Sequence, residues 1–373
     1  MNIALFRATK SFTWGRQERG MGGGEEFSSI ARELKRRGHR VTLYGDVARS
    51  SVTAFREAGF RMRGPALELD RDEDCLVIDN GPVLNLLWSP GQLTLPRRMS
   101  QLYHLVKSCE ATIFYSQSDP GPAMRPLTEV DAWLSIPSKR PVLEYVTVPP
   151  DPFAGKRLVV MVPQRWPEEF GPRLRNRYFD PVRRGVTFVH LDLSPLAMID
   201  REILPPAGSP SRDIVYVGNA RYRSRLGLYL NTPRAWIWGR WSDRARASLV
   251  PLANLVGRAL ADEVPGIYNS GRLTFVVKDD CELGYCARPT RLFEAVMGGC
   301  PVFVDEMTYR QGTDEHRYWP WVCAPGDVEG LLERVSDDRE RLALLSDQRD
   351  AISSIDPLGP IDRLEEILEE YSR

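Results

Sequence analysis

Short apolar runs alternate with amphipathic stretches along most of the chain. The first run, Asn2–Arg7, reads as a strand, and a polar, Gly-rich stretch follows from Lys10 to Gly24. Phe27, Ile30, Ala31 and Leu34 then recur at helical spacing, which predicts a helix over Glu25–Gly38 stopped by Gly38. Arg40–Tyr44 is the next strand, completing a βαβ unit whose crossover is expected to be right-handed. The same alternation predicts a helix over Val52–Ala58, a strand over Cys75–Ile78, a helix over Arg97–Ser108 and a strand over Ala111–Tyr115. Further strands are predicted at Pro141–Val146, Arg157–Val162 and Gly185–Leu191. Strands alternating with helices imply an α/β domain with a mainly parallel sheet.

The stretch Leu204–Arg212 is rich in Pro, Gly and Ser, and it is the best domain boundary in the chain. After it the pattern restarts. Strands are predicted at Asp213–Val217, Ala235–Trp238, Leu273–Lys278 and Pro301–Val304. Helices are predicted at Leu252–Leu260, Thr290–Met297, Val328–Ser336, Arg339–Ala351 and, at the tail, Pro360–Tyr371. The expected division is an N-terminal Rossmann-like domain over 1–203, a second over 204–355 and a C-terminal helix over 356–373.

Composition narrows the function classes. The chain has 373 residues, enough for two or three domains at ~100–200 residues each. Lys plus Arg equals Asp plus Glu at 50 each, which excludes a general polyanion-coating role while leaving room for a local basic groove. Most of the positive charge is Arg, the better bidentate phosphate ligand, although a compositional bias of the genome gives the same excess. The six cysteines show no zinc-site spacing with His; only Cys281 and Cys286 are close, and most of the others sit in apolar runs, which fits buried thiols in a reducing, cytoplasmic compartment. The N-terminus enters a strand at once, and no apolar run is long enough to span a membrane.

In open parallel sheets, ligands bind at the carboxyl ends of the strands near a topological switch point. Strand-end residues are therefore the candidates. Gly22, Gly23 and Gly24 open a predicted helix and offer backbone amides to a ligand, or only turn the chain; they form neither a dinucleotide fingerprint nor a P-loop. Asp79 and Asp119 each follow a predicted strand and suit a general base, or a turn-forming carboxylate. Beyond Gly218-Asn219, Arg221, Arg223 and Arg225 suit a diphosphate clamp or a solvated helix start. The densest segment is 285–305. There Arg288, Thr290 and Arg291 stand at a helix N-terminus, and Glu294 lies three residues after Arg291 on the same face.

These residues resemble nucleotide-sugar glycosyltransferases of the GT-B fold, with a C-terminal half similar to the CgeB-like type. The marks run in order: Ile214–Asn219, Trp236–Trp241, Val264–Ser270, then Arg291–Val302. The first half matches only generally. The resemblance implies an α/β, GT-B architecture of two Rossmann-like domains facing across a cleft, with the donor held mainly by the second. It implies that Glu294 bonds the nucleotide ribose. Arg221 or Arg225, with Arg288 and the Thr290 region, would face the diphosphate. Gly239-Arg240 and Tyr268-Asn269 would lie near the base. Retaining relatives often carry a second Glu eight positions before the ribose glutamate; here that position is Cys286. The fold usually needs no tightly bound metal, so the expected requirement is a nucleoside-diphosphate sugar, a UDP-sugar first, and no metal.

The acceptor belongs to the first half. No amphipathic helix with clustered basic and aromatic residues offers a membrane surface. Arg165-Trp166, Arg173–Tyr178 and Arg183-Arg184 suit a nucleic-acid backbone or a solvated surface. The segment Tyr115–Asp119 is distantly similar to a strand end of phage DNA glucosyltransferases, which implies a hydroxymethylated base as acceptor and, for a phage-encoded protein, the host cytoplasm. A small-molecule, protein or glycan acceptor, a non-catalytic nucleotide-sugar-binding protein, and an epimerase or hydrolase remain the other readings.

Overall fold

A computed structural model of the protein describes residues 1–7, 11–14, 25–79, 91–116, 143–148, 155–162, 186–199, 201–219, 224–260, 262–277, 290–307 and 319–372. The chain forms two compact units. The first is built on Met1–Trp14, Phe27–Leu193 and the tail Gly359–Arg373, and the second on Ser194–Leu358. The change of unit falls at Leu193/Ser194, ahead of the Pro-rich stretch. The reason is local: the one-turn 3-10 segment Ser194–Met198 buries Ala197 in the second unit's core.

The first unit is a seven-stranded sheet. Its strands are β1 (Asn2–Phe6), β2 (Arg40–Tyr44), β3 (Arg61–Gly64), β4 (Cys75–Ile78), β6 (Thr112–Ser116), β8 (Leu158–Val162) and β9 (Val186–His190). The order is β3-β2-β1-β4-β6-β8-β9, and every pair is parallel. Strand order reverses at β1, so the switch point lies between β1 and β4. Helix α1 (Glu25–Arg36) turns Phe27, Ile30, Ala31 and Leu34 inward, and Lys35 and Arg36 complement its C-terminal dipole. Gly38 stops it with φ +92°, a conformation that costs a side chain energy even though space is open there. Helices α2 (Val52–Glu57) and α3 (Arg97–Ser108) stand where the periodicity puts them.

The strand expected at 141–146 is β7 (Leu143–Val148), and it lies outside the parallel sheet. It pairs antiparallel with β5 (Gly91–Pro96), an element the sequence pattern did not suggest. In the second half, Leu252–Leu260 is not helical: Asn254–Gly257 is strand β12, paired parallel with β11 (Ala235–Trp238). Leu252, Leu255, Val256 and Ala259 mimic helical spacing, but pairing along an open sheet edge overrides so short a pattern.

The second unit repeats the plan. Its sheet adds β10 (Arg212–Val217), β13 (Gly271–Val276), β14 (Val302–Asp305) and β15 (Val322–Cys323), in the order β12-β11-β10-β13-β14-β15, all parallel. Its switch point lies between β10 and β13. The helices are α4 (Leu226–Leu230), α5 (Asp243–Leu249), α6 (Val264–Asn269), α7 (Thr290–Met297), α8 (Val328–Ser336) and α9 (Asp338–Ser353). Two cores line the sheet's faces; one packs Leu292, Phe293, Val296 and Met297 of α7 against Val215 and Val217 of β10. Each such large side chain contributes about 1.5–3 kcal/mol on burial.

The tail helix α10 (Gly359–Ser372) belongs to the first unit. It buries Ile361, Leu364, Ile367 and Leu368, and Arg37 pairs with its Asp362 and Glu365. Glu365 also meets His39 at 2.6 Å.

Candidate nucleotide site and acceptor-side carboxylate

In the second unit, helix α7 stands behind the switch point. Five of its residues are apolar and buried, which leaves Arg291 and Glu294 on its polar face. Arg291 lies across the end of β10: its Nη1 donates to the Tyr216 hydroxyl at 3.0 Å, and its guanidinium carbon is 4.9 Å from the centre of that ring. A Cβ on Gly218 would stand 2.6 Å from Arg291 Nη2. Gly218 is therefore glycine so that the guanidinium can lie against the strand end. Glu294 accepts from Arg201 Nη2 at 2.7 Å, and the two side chains are 16% and 15% exposed.

The next strand end is stitched to the first. Gly218 donates its N–H to Trp238 O, Gly239 donates to Gly257 O, and the Trp241 indole donates to Gly218 O at 2.9 Å. Arg240 N–H donates to Asn219 Oδ1 at 2.8 Å. A Cβ on Gly239 would come within 2.0 Å of Gly218 O. The side chains of Tyr268 and Asn269, on α6, are engaged in packing. Tyr268 is wholly buried, and its hydroxyl has no hydrogen-bond partner among the described residues. Burial first, and then the charge of Glu294 against the opposing charge of Arg291, raise its pKa well above that of an ordinary tyrosine. The Asn269 amide donates to Pro205 O and Gly298 O, holding the end of α7, where Gly299 takes φ +86°.

Arg225 immediately precedes α4 and reaches Asp305 at the end of β14, Nη2 to Oδ2, at 3.2 Å. Asp305 is almost fully buried, and its other oxygen lies 2.7 Å from the Tyr229 hydroxyl. Thr290, Arg291 and Glu294 thus share one helix, with Gly218 against Arg291, while Gly239 and Arg240 are joined to the Gly218-Asn219 strand end. Arg225 belongs to a neighbouring, separately anchored cluster. Gly22, Gly23, Gly24, Asp119, Arg221 and Arg288 lie outside the described residues, as do the three basic aromatic stretches.

In the first unit, Asp79 follows β4 at the switch point, and Arg7 follows β1. Arg7 is 1% exposed. Its Nε donates to Asp79 Oδ2 at 2.9 Å, and its Nη1 donates to Ser11 O and Ser28 Oγ. Asp79 is thus anchored by a buried guanidinium that holds it at the strand end. The sequence assigned no individual role to Arg7, Arg201, Tyr216, Tyr229 or Asp305, although Tyr216 and Asp305 fall in segments it singled out. Arg7 and Asp305 carried one signal, a charged residue directly at the end of a buried strand; Arg201 carried none.

Among the described residues, one acidic group brings ligand atoms within 4.8 Å of one another: Asp70, Asp72 and Glu73. Arg61 and Arg63 already pair with Asp70, and Arg40 and Arg61 with Asp72. Those arginines supply the positive charge that a cation would bring, so the residues do not fit a metal centre. No described helix is long and apolar enough to cross a membrane.

No family model and no curated protein matches the chain, so the CgeB-like resemblance rests on the quoted residues alone. Solved structures do match over nearly the whole length. T4 phage beta-glucosyltransferase aligns at 13% identity and a TM-score of 0.67, covering 99% of each chain. An alpha-glucosyltransferase in complex with UDP aligns at 12% identity and 0.63, covering 99% of this chain and 100% of its own. Sucrose-phosphate synthase from Thermosynechococcus elongatus aligns at 10% identity and 0.56, covering 99% of each. One structure of the beta-glucosyltransferase holds UDP and Mn2+, and one of the alpha-glucosyltransferase holds UDP and DNA. With its two parallel sheets, each reversing order at its first strand, the chain has the GT-B fold of two Rossmann-like domains.

Proposed function

We propose that the protein is a glycosyltransferase that moves a sugar from a UDP-sugar to a hydroxyl on a hydroxymethylated base in DNA. The observation that carries the donor half is the α7 arrangement: Arg291 laid against Gly218 and Tyr216, with Glu294 one turn further along the same face. A cation at a helix N-terminus beside a strand end suits a diphosphate. A carboxylate only accepts hydrogen bonds when ionised, so Glu294 suits the ribose hydroxyls. Arg221 and Arg288 are the arginines for the leaving diphosphate, whereas the charge of Arg225 is already met by Asp305. Stabilising the charge that develops on that group is the chief catalytic task when no metal is used.

The acceptor half rests on fold. The matching structures include a DNA modifying enzyme and a complex with DNA, each aligned over 99% of this chain. Unmodified bases offer no free hydroxyl, so transfer to a base calls for a hydroxymethyl group, and the base must leave the stack to be reached. Asp119 and Asp79, both in the first unit, are the candidate general bases. Asp79 is already paired with Arg7, which favours Asp119 for the proton and Asp79 for holding the acceptor site in shape.

Radiolabelled UDP-glucose is offered with DNA containing hydroxymethylcytosine and with the same DNA unmodified. The expected result is label in the hydroxymethylated DNA alone. Label passed only to a small sugar acceptor, or UDP released with no acceptor, would replace the DNA reading with a small-molecule transferase or a hydrolase.

A further inference from the structure

We infer that Arg201 is the positioning residue for Glu294 and determines how the donor's ribose is read. The inference rests on the donor-site reading above. Arg201 comes from the segment between the Ser194–Met198 turn and β10, outside every motif of the second unit. It holds Glu294 Oε1 at 2.7 Å in a largely enclosed setting. Two consequences follow from that contact.

The first is orientation. A glutamate on a solvated helix face samples several rotamers, and ordering it on binding costs conformational entropy. With Oε1 held by the guanidinium, the carboxylate is set before the nucleotide arrives, and Oε2 keeps a fixed direction. The Tyr268 hydroxyl is wholly buried, has no hydrogen-bond partner among the described residues, and is close enough to feel the charges of both Arg291 and Glu294.

The second is charge. A bare carboxylate one turn from the arginine that meets a diphosphate opposes the incoming anion. Arg201 offsets that charge, so the site gains the specificity of an acidic ribose acceptor without repelling the phosphates. Arg201 touches Glu294 rather than the reacting atoms, and it acts through that residue.

The test is calorimetric titration with UDP, 2′-deoxy-UDP and 3′-deoxy-UDP. In the unaltered protein, loss of the hydroxyl that Glu294 reads is expected to weaken binding about tenfold, the size of a hydrogen bond to a charged group. In Arg201→Gln, UDP itself is expected to bind about tenfold more weakly, and the preference for UDP over the deoxy analogues to shrink below about threefold. Arg201→Lys keeps the charge without the planar fork, so it is expected to recover part of the UDP affinity and little of the preference. A merely structural arginine would weaken all three nucleotides equally. Unchanged preference in both variants, with the unaltered protein discriminating, overturns the inference and leaves the donor site standing. Failure of the unaltered protein to bind any nucleoside diphosphate removes the donor-site reading and this inference with it.

Discussion

Gly239 and Gly218 face one another across a strand end, yet a side chain at each has a different consequence. At Gly239 the obstacle is backbone: the added Cβ would lie 2.0 Å from Gly218 O. Gly239→Ala is therefore expected to lower stability by about 3 kcal/mol or more, read by urea unfolding, because the strand ends must part. At Gly218 the nearest atom is the end of the Arg291 side chain, which can move. Gly218→Ala is expected to cost only about 1 kcal/mol of stability while weakening UDP binding about tenfold, since the guanidinium is displaced from its seat. Equal losses of stability in the two variants would contradict that distinction. That Arg291 and Glu294 share one helix and that Gly218 ends a strand was legible in the sequence, because a helix N-terminus and a strand end each constrain residue type. Arg201 and Tyr216 were not: their meaning comes from what they touch across 93 and 75 residues of chain. Tyr268 and Asn269 were legible as a pair, but not their orientation, since burial and backbone capping depend on neighbours that spacing does not reveal.

Among the elements, those with strong internal pattern were read to within a few residues. β2, β4, α3, β11 and α7 each match their expected ranges because apolar periodicity and flanking polar residues agree there. The failures are short or at edges. β12 lies at a sheet edge, β5 pairs with β7 outside both sheets, and α6 runs straight into β13 with no apolar stripe of its own. Such elements owe their form to pairing partners rather than to their own sequence. The tail helix α10 was legible as amphipathic, and the residues it buries give a direct test. Leu364→Ala removes a side chain that is 1% exposed, and a loss of about 2–4 kcal/mol is expected in thermal or urea unfolding. Arg37→Ala, whose partners Asp362 and Glu365 are partly exposed, is expected to cost clearly less than Leu364→Ala in the same measurement. The reverse ranking would mean that α10 is held mainly by charge.

For the molecule as a whole, buried acids set the response to alkali. Burial raises the pKa of the Cys75, Cys109 and Cys300 thiols, pushes that of Cys323 up to about 12 and that of Tyr44 to about 12. A group whose folded pKa is raised favours the folded state fully below its unfolded pKa. That contribution is lost as pH climbs from there toward the folded value. Stability is therefore expected to fall from about pH 8.5 upward, beginning with the thiols. The same four thiols are expected to stay unreactive toward a disulfide reagent at neutral pH until the chain unfolds. Rapid labelling of any of them in the folded protein would contradict their burial. At this scale the two-domain plan was the most legible feature. Two α/β alternations separated by a Pro-rich stretch imply two parallel sheets, and in the first of them the charged strand-end residues Arg7 and Asp79 flank the switch point.

The central claim is that the second unit binds a nucleoside diphosphate against α7. The most direct test is calorimetric titration of UDP into the unaltered protein and into Glu294→Ala. Binding by the first, weakened about tenfold or more in the second with little change in unfolding temperature, is the predicted result. No binding of UDP by the unaltered protein, or equal binding by both, would contradict it.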